Sequence, residues 1–158
     1  MGITIYGDNN LISNNLVYGD TEPHGDYHSS ETLNLQEFLE KLIPQVKGRI
    51  GIRSWGINKG KLQSTSRDII WSKIMIADEI PSKNNDNGLY AYSTDNFINE
   101  QNNIIGLVEL RGKILEHEDG VLRGEWARIL CIFCLKESDY RILTKQYPDT
   151  HVYYGHLR

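Results

Sequence analysis

Two long segments that read as β-strands dominate the second half of this 158-residue chain. The first runs from Ile104 to Glu118 and alternates apolar with polar residues, and the second runs from Gly124 to Leu135. Between them lies Asp119-Gly120, a pair typical of tight hairpin turns because both residues tolerate left-handed backbone. The pattern predicts a long β-hairpin around which the rest of the chain is organised.

The clearest local pattern lies between Asn34 and Gly48. Apolar residues recur there at i, i+3, i+4, i+7, i+8 and i+11, which places them on one face of a helix. These residues are Leu35, Phe38, Leu39, Leu42, Ile43 and Val46. Asn34 is a suitable N-cap, and Glu37 three residues later completes a capping box. Pro44 disfavours regular helix at Ile43, so we expect a short helix that packs on the core.

The remaining segments predict a strand-rich domain. Alternation indicates strands over residues 49–57, 89–92 and 151–154, and turn and capping residues indicate helices over 95–100 and 138–146. The sequence thus predicts an α+β fold: a strand-rich single domain with a split or curved, mainly antiparallel sheet and two to three helices. Residues 31–158 form its core domain in this interpretation, and we expect Trp55 and Trp71 to be core residues rather than ligand platforms.

Residues 1–30 read as a β-rich leader and linker ahead of that domain. Within residues 1–20 the runs ITIY, NLIS and NLVYG alternate apolar with polar residues and are separated by the turn formers Gly-Asp and Asn-Asn. The segment resembles the GDNN-type leaders found ahead of other domains in bacterial conflict proteins, and also single rungs of β-solenoids. That resemblance implies a homo-oligomer assembled through residues 1–20. The alternative is a flexible or edge-strand terminus.

Charge and hydropathy exclude several classes of partner. The formal net charge is −4 and the pI about 5.7, which argues against a general nucleic-acid binder or a protein that binds anionic membranes. No apolar run is long enough to span a bilayer, and the first residues lack the pattern of a signal peptide. We expect a cytoplasmic protein.

Cysteine and histidine spacing predicts no metal site. Cys131 and Cys134 have C-x-x-C spacing, but residues i and i+3 of a strand point to opposite faces and no second cysteine pair exists. We expect both to be buried, reduced core residues, in preference to metal or redox chemistry. The five histidines are scattered without ligand spacing, at positions 24, 28, 117, 151 and 156.

Two acidic residues at the end of the first long strand are candidates for chemistry. Glu116 and Glu118 share a face with Val108, Leu110 and Ile114 if the alternation continues that far. Their Cα atoms would then be about 7 Å apart, since a strand rises roughly 3.3 Å per residue. Half-buried carboxylates at that spacing suit acid–base chemistry or the binding of a ribose. The alternative is that the strand twists outward and leaves both acids solvated beside the Asp-Gly turn.

The runs GLYAYSTDNFI and GLVELRGKI resemble the middle of an ADP-ribosyltransferase fold. In the arginine–serine–glutamate branch of that family, an Arg binds the NAD phosphates, a Ser/Thr-rich strand shapes the nicotinamide pocket, and a Glu-x-Glu motif holds the ribose and promotes transfer. The resemblance implies ligand-binding roles for Arg53 and for Ser93 with Thr94, and catalytic roles for Glu116 and Glu118. It also implies NAD or an ADP-ribose-type nucleotide as the ligand.

The resemblance is incomplete. Ser-Thr stands where the family has Ser-Thr-Ser, and Glu116 follows Thr94 closely, so a version that binds a nucleotide without turning it over is an equal alternative. Tyr90 and Tyr92 are candidates for stacking on a nicotinamide ring, with a structural role in the sheet as the other interpretation. The chain also resembles an uncharacterised family of small bacterial α+β proteins, which implies no chemistry.

Two functional hypotheses follow. The first is a module of bacterial or phage conflict that binds a nucleotide or NAD-derived ligand, or transfers ADP-ribose. The second is a non-enzymatic protein-interaction or immunity-type module that self-assembles through its N-terminal segment. The positions of Arg53 and Glu118 discriminate between them: the ligand hypothesis is strengthened if both face one cleft, and it fails if they lie on opposite faces of the sheet.

Overall fold

The computed structural model describes residues 31–65, 68–96 and 104–158. The predicted leader over residues 1–30 and most of the predicted helix over 95–100 lie outside these ranges. The elements are β1 (Glu31–Leu33), α1 (Leu35–Leu42), β2 (Arg49–Asn58), β3 (Lys61–Gln63), β4 (Ile74–Ile76), β5 (Leu89–Ser93), β6 (Ile104–Glu116), β7 (Val121–Cys134), α2 (Glu137–Gln146) and β8 (His151–Leu157), with short 3-10 turns at Ile43–Gln45 and Thr94–Asn96. The predicted α+β class is confirmed.

The predicted hairpin is formed by β6 and β7. The two strands pair in antiparallel fashion along most of their length, with irregularities where Leu107/Val108 and Arg111/Ile114 change register. The second irregularity contains Gly112, whose φ of 77° lies in the left-handed region that favours glycine. β6 ends at Glu116 and not at residue 118, and β7, with 14 residues, is longer than β6, with 13.

Four strands of the sheet hydrogen-bond in a closed ring. β2 pairs with β6, β6 with β7, β7 with β5, and β5 with β2, all antiparallel. β3 pairs in antiparallel fashion with the end of β2, and β4 pairs with the middle of β7. β8 pairs in parallel with the end of β7, and β1 pairs in parallel with β8. The sheet is therefore curved and mainly antiparallel, as the sequence predicts.

The curved sheet separates two apolar clusters. One contains Trp55 and Trp71, 0% and 2% exposed, whose rings meet edge to face with centroids 5.5 Å apart. The other lies under α1 and contains Phe133, with Phe38 packed against it. The expectation that both tryptophans are core residues is confirmed, and each strand of the hairpin contributes to both clusters because its side chains alternate between faces.

The two cysteines follow that alternation. Cys131 lies in the cluster under α1 and Cys134 in the opposite one, and both are buried free thiols. Burial raises the pKa of both thiols well above the usual range, so they stay protonated at neutral pH. The expectation of buried, reduced core cysteines is confirmed.

Helix α1 begins and ends as its sequence predicts. The Asn34 side chain accepts a hydrogen bond from the Glu37 backbone N–H at 3.0 Å, and the α-helix gives way to a 3-10 turn at Ile43, next to Pro44.

Replacing Asn34 by Ala should lower the free energy of unfolding by about 1 kcal/mol, because the first turn loses that acceptor. Urea denaturation measures this. Gln36→Ala, at an exposed position of the same helix, is the control, and an equal loss in both variants would contradict the cap's role.

One carboxylate is completely buried between the hairpin and the segment that precedes β2. Glu109, 0% exposed, accepts hydrogen bonds from the backbone N–H groups of Lys47 and Gly48 at 2.9 and 2.8 Å. It also accepts from the guanidinium groups of Arg111 and Arg128 at 2.7 and 2.9 Å. Burial raises the pKa of Glu109, but the hydrogen bonds outweigh that effect and lower it to about 2.

No helix in the described ranges is both long enough and apolar enough to cross a membrane.

Candidate functional site

A cavity of about 690 Å³ opens where β2 and β5 separate. The two strands pair only at Gly51 and Ile52, opposite Ser93 and Tyr92. They come very close there, because a Cβ on Gly51 would lie 2.7 Å from the Cβ of Ala91. Beyond this contact the strands diverge, and the segment between β3 and β4, the loop before β5 and the turn between β6 and β7 complete the walls.

Arg53 lies at the point where the strands diverge. Its Nη1 donates to the backbone carbonyl of Tyr90 at 2.6 Å and its Nη2 to Ser64 Oγ at 2.8 Å. The guanidinium carbon lies 4.5 Å from the centre of the Trp71 ring, within range of a cation–π interaction. The Nε–H is buried without a hydrogen-bond partner. Burial lowers the pKa of Arg53 to about 10, which leaves the side chain charged at neutral pH.

Arg53 has no ionic partner among the residues that the structure describes. The ion pairs found in the described ranges involve other arginines, at positions 49, 111, 128 and 141. In the part of the chain that the structure describes, Arg53, Lys83 and Arg123 line the cavity with two acids, Asp86 and Asp119. This described part of the lining is net positive by one charge, although the chain as a whole is acidic.

Arg123 holds one wall of the cavity in place. It is 3% exposed, and its guanidinium donates to the backbone carbonyls of Ser82, Asn85 and Asn87 at 2.8, 2.7 and 2.9 Å. Its Nε donates to Nε2 of His117 at 3.0 Å, so that nitrogen of the imidazole acts as an acceptor. Arg123 thereby ties the loop before β5 to the start of β7, and its role is to position the wall.

The structure brings together three of the residues that the sequence suggested for ligand binding. Arg53, Tyr90 and Tyr92 all line the cavity, and Tyr92 is 48% exposed. Ser93 and Thr94 do not line it. Ser93 is buried where β5 meets β2, and Thr94 begins the 3-10 turn that follows.

The two candidate catalytic acids lie outside the cavity lining. Glu116 pairs with Arg49, and the two side chains are 48% and 43% exposed, while Glu118 is exposed beyond the end of β6. The expectation that both carboxylates are half-buried on the core face is wrong for Glu118, and Arg53 and Glu118 do not line one cleft. β6 is continuously buried only as far as Leu110, and from Arg111 onward its residues are half-buried or exposed, although Ile114 still packs against the core. The alternative, two acids solvated beside the turn, describes their position, and their catalytic roles stay predictions.

Three residues of the cavity carry no recognisable signal in the sequence. Ser64 lies in a polar stretch, His117 is one of five scattered histidines, and Arg123 falls in the short gap between the two predicted strands of the hairpin. His117 and Asp119 line the cavity, whereas their neighbours Glu116 and Glu118 do not. Strand alternation predicts instead that Glu116 and Glu118 face the site.

In the described ranges no group of three or more His, Cys, Asp or Glu side chains is arranged to hold a metal ion. No protein-family model, curated protein or solved structure matches this chain.

Proposed function

We propose that this protein binds a small anionic ligand of the nucleotide or NAD-derived class in the cavity between β2 and β5. The supporting observation is the guanidinium of Arg53, which is partly buried, with its Nε atom fully buried, and has no ion pair within the described ranges. Removing a charge from water without a counter-charge is costly. A ligand phosphate or carboxylate would supply that counter-charge, and a guanidinium suits both because it donates in a planar fork.

The size and lining of the cavity support a ligand of this class. About 690 Å³ falls within the roughly 300–1,000 Å³ typical of small-molecule sites. Tyr90 and Tyr92 add aromatic surface to the wall, and the half-exposed ring of Tyr92 offers a face on which a planar base can stack. A cation at the base of the cavity and aromatic rings on its wall match the two ends of a nucleotide.

Arg53→Met tests the proposal directly. NAD, ADP-ribose or a cyclic nucleotide at about a hundred times its dissociation constant should stabilise the wild-type protein by roughly 2.7 kcal/mol, which raises the melting temperature by a few degrees. The variant should fold, because Met keeps an unbranched stem and removes an unpaired buried charge. Arg53→Met should lose the ligand-induced rise in melting temperature. Differential scanning fluorimetry and calorimetric titration measure both.

Arg49→Met is the matched control. Arg49 lies on the same strand, and its replacement changes the net charge by the same amount, but it pairs with Glu116 outside the cavity. This variant should keep the ligand-induced shift. The proposal is contradicted if no nucleotide shifts the wild-type protein, or if Arg53→Met responds as the wild type does.

ADP-ribosyl transfer in bacterial or phage conflict is a narrower form of the same proposal. Transfer needs a carboxylate near the ribose to stabilise developing positive charge. Glu116 and Glu118, which the family resemblance suggests for this role, lie outside the cavity lining, so the geometry supports binding more than turnover. Incubation of the wild type and Glu118→Gln with NAD, followed by detection of released nicotinamide, distinguishes turnover from binding alone. Nicotinamide release by the wild type that Glu118→Gln loses would indicate turnover.

A protein-interaction module is the second candidate, and exposed isoleucines favour it. Five of them occur within twelve residues, between β3 and β5, with exposures from 39% to 71%. They are Ile69, Ile70, Ile74, Ile76 and Ile80. Apolar side chains clustered in this way often mark contact surfaces. Light scattering on the full chain over a range of concentrations tests self-assembly, and a constant monomeric mass would count against it.

A further inference from the structure

Ser64 lies beside Arg53, and its neighbours restrict the hydrogen bonds that the Ser64 hydroxyl can form. Its Oγ accepts from Arg53 Nη2 at 2.8 Å and from Trp71 Nε1 at 3.1 Å. A hydroxyl has two acceptor lone pairs and one donor proton. Because both lone pairs face donors, the proton of Ser64 must point to a third group. Ser64 is 9% exposed and lines the cavity, so that proton is available on the cavity side.

The surrounding structure holds this hydroxyl in place. The Ser64 backbone N–H donates to the carbonyl of Ile69 at 2.9 Å, and the Trp71 backbone N–H donates to Leu62 at 2.8 Å. Trp71 itself is buried against Trp55. The indole that donates to Ser64 therefore cannot easily turn away, and the orientation of the hydroxyl exists before any ligand arrives.

Arg53 and Ser64 together present donors and no acceptor. A guanidinium has five N–H donors, and two of Arg53's are engaged with Tyr90 and Ser64; apart from the buried Nε–H, this leaves one N–H on each Nη atom. The Ser64 oxygen has no lone pair to offer. Two adjacent side chains that can only donate select a group that can only accept, and an oxyanion is such a group.

We propose that Ser64 and Arg53 jointly bind one oxyanion of the ligand, a phosphate or a carboxylate, with the Ser64 hydroxyl donating to one of its oxygens. This rests on the proposed function and adds a specificity-determining residue to it. The arrangement disfavours neutral ligands that present an N–H or O–H at this point, because donors would then face donors.

The test uses the indole N–H of Trp71 as a local reporter. Inorganic phosphate and, separately, acetate are titrated into the full-length protein while the Trp71 Nε1–H resonance is followed by NMR, with Trp71→Phe used for assignment. Ser64→Ala should weaken binding of the preferred anion by about 10- to 100-fold, as expected for the loss of one hydrogen bond to a charged group. Ser64→Thr keeps the hydroxyl and should recover most of the affinity. Ser138→Ala, at an exposed serine of α2 outside the cavity lining, should leave the affinity unchanged.

A double substitution separates donation from positioning. Arg53→Lys keeps a cation, and Ser64→Ala in that background should weaken binding further if the hydroxyl contacts the anion. If Ser64 merely orients Arg53, the second substitution will add nothing, and the inference is overturned. An affinity unchanged by Ser64→Ala but abolished by Arg53→Met overturns the inference and leaves the proposed function standing. Absence of any shift in the wild type with either anion overturns the inference, while the nucleotide titrations decide the proposed function separately.

Discussion

Glu109→Gln should lower the free energy of unfolding by about 3–5 kcal/mol, the usual effect of removing one partner from a buried ionic cluster. The carboxylate accepts from Arg111, Arg128 and the backbone N–H groups of Lys47 and Gly48. A glutamine has the same shape but replaces one acceptor oxygen by an NH₂ group. That group would face donors, and the guanidinium groups of Arg111 and Arg128, whose side chains are 37% and 32% exposed, would lose their counter-charge.

Urea denaturation of the wild type and the variant measures this effect. Glu116→Gln is the matched control, since Glu116 belongs to the same strand and also pairs with an arginine, but is exposed. Its denaturation midpoint should hardly change, because exposed ion pairs contribute little. Equal midpoints for Glu109→Gln and the wild type would show that the buried cluster does not stabilise the fold.

Acid should destabilise the protein through the same residue. The folded-state pKa of Glu109 is about 2, below the ordinary value of 4.5, so its contribution is fully present above about pH 4.5. It is lost as the pH falls towards 2, because the unfolded state then binds a proton that the folded state resists. The difference in stability between wild type and Glu109→Gln should therefore shrink across that window. A difference independent of pH would contradict the assignment.

Gly48→Ala should also be severely destabilising, by about 3 kcal/mol or more, because overpacking here cannot be relieved by a side chain alone. A Cβ on Gly48 would lie 1.9 Å from the carbonyl oxygen of Leu110 and 2.8 Å from Arg111 Cγ. The segment before β2 would have to move away from β6. The same movement would stretch the hydrogen bond from Gly48 N–H to Glu109.

Gly56→Ala provides the comparison. Gly56 also lies in β2, but the nearest atom to an added Cβ is the carbonyl oxygen of Gln63, 4.0 Å away. This variant should fold with nearly unchanged stability. Thermal denaturation followed by circular dichroism measures both variants, and similar melting temperatures for the two would show that close approach at Gly48 is unimportant.

Local patterns predict the elements that depend on neighbouring residues. The Asn34 cap, the 3-10 turn beside Pro44 and the hairpin at Asp119-Gly120 all follow from chemistry within a few positions. The opposite faces of Cys131 and Cys134 follow in the same way from the alternation of a strand. Spacing carries this information because caps, turns and alternation are short-range.

The cavity depends on residues far apart in the chain. Arg53 reaches a carbonyl 37 positions away at Tyr90, and Arg123 reaches one 41 positions away at Ser82. The family resemblance named Arg53, but no local pattern brings it to Ser64 or assigns Arg123 to the loop before β5. These contacts exist because β2 and β5 meet at Gly51 and then separate.

The same limit explains the acids of β6. Alternation alone predicts that Glu116 and Glu118 lie on the core-facing side of the strand. It places Glu109 on the opposite face, among other polar residues. In the fold, both faces of the strand are covered as far as Leu110, so Glu109 is buried, whereas from Arg111 onward the strand is only partly covered and Glu116 is exposed. The sequence by itself determined the fold class, the hairpin and both ends of α1. Only the tertiary structure decided which charges are buried, because burial depends on what packs over each face of a strand and where that packing ends.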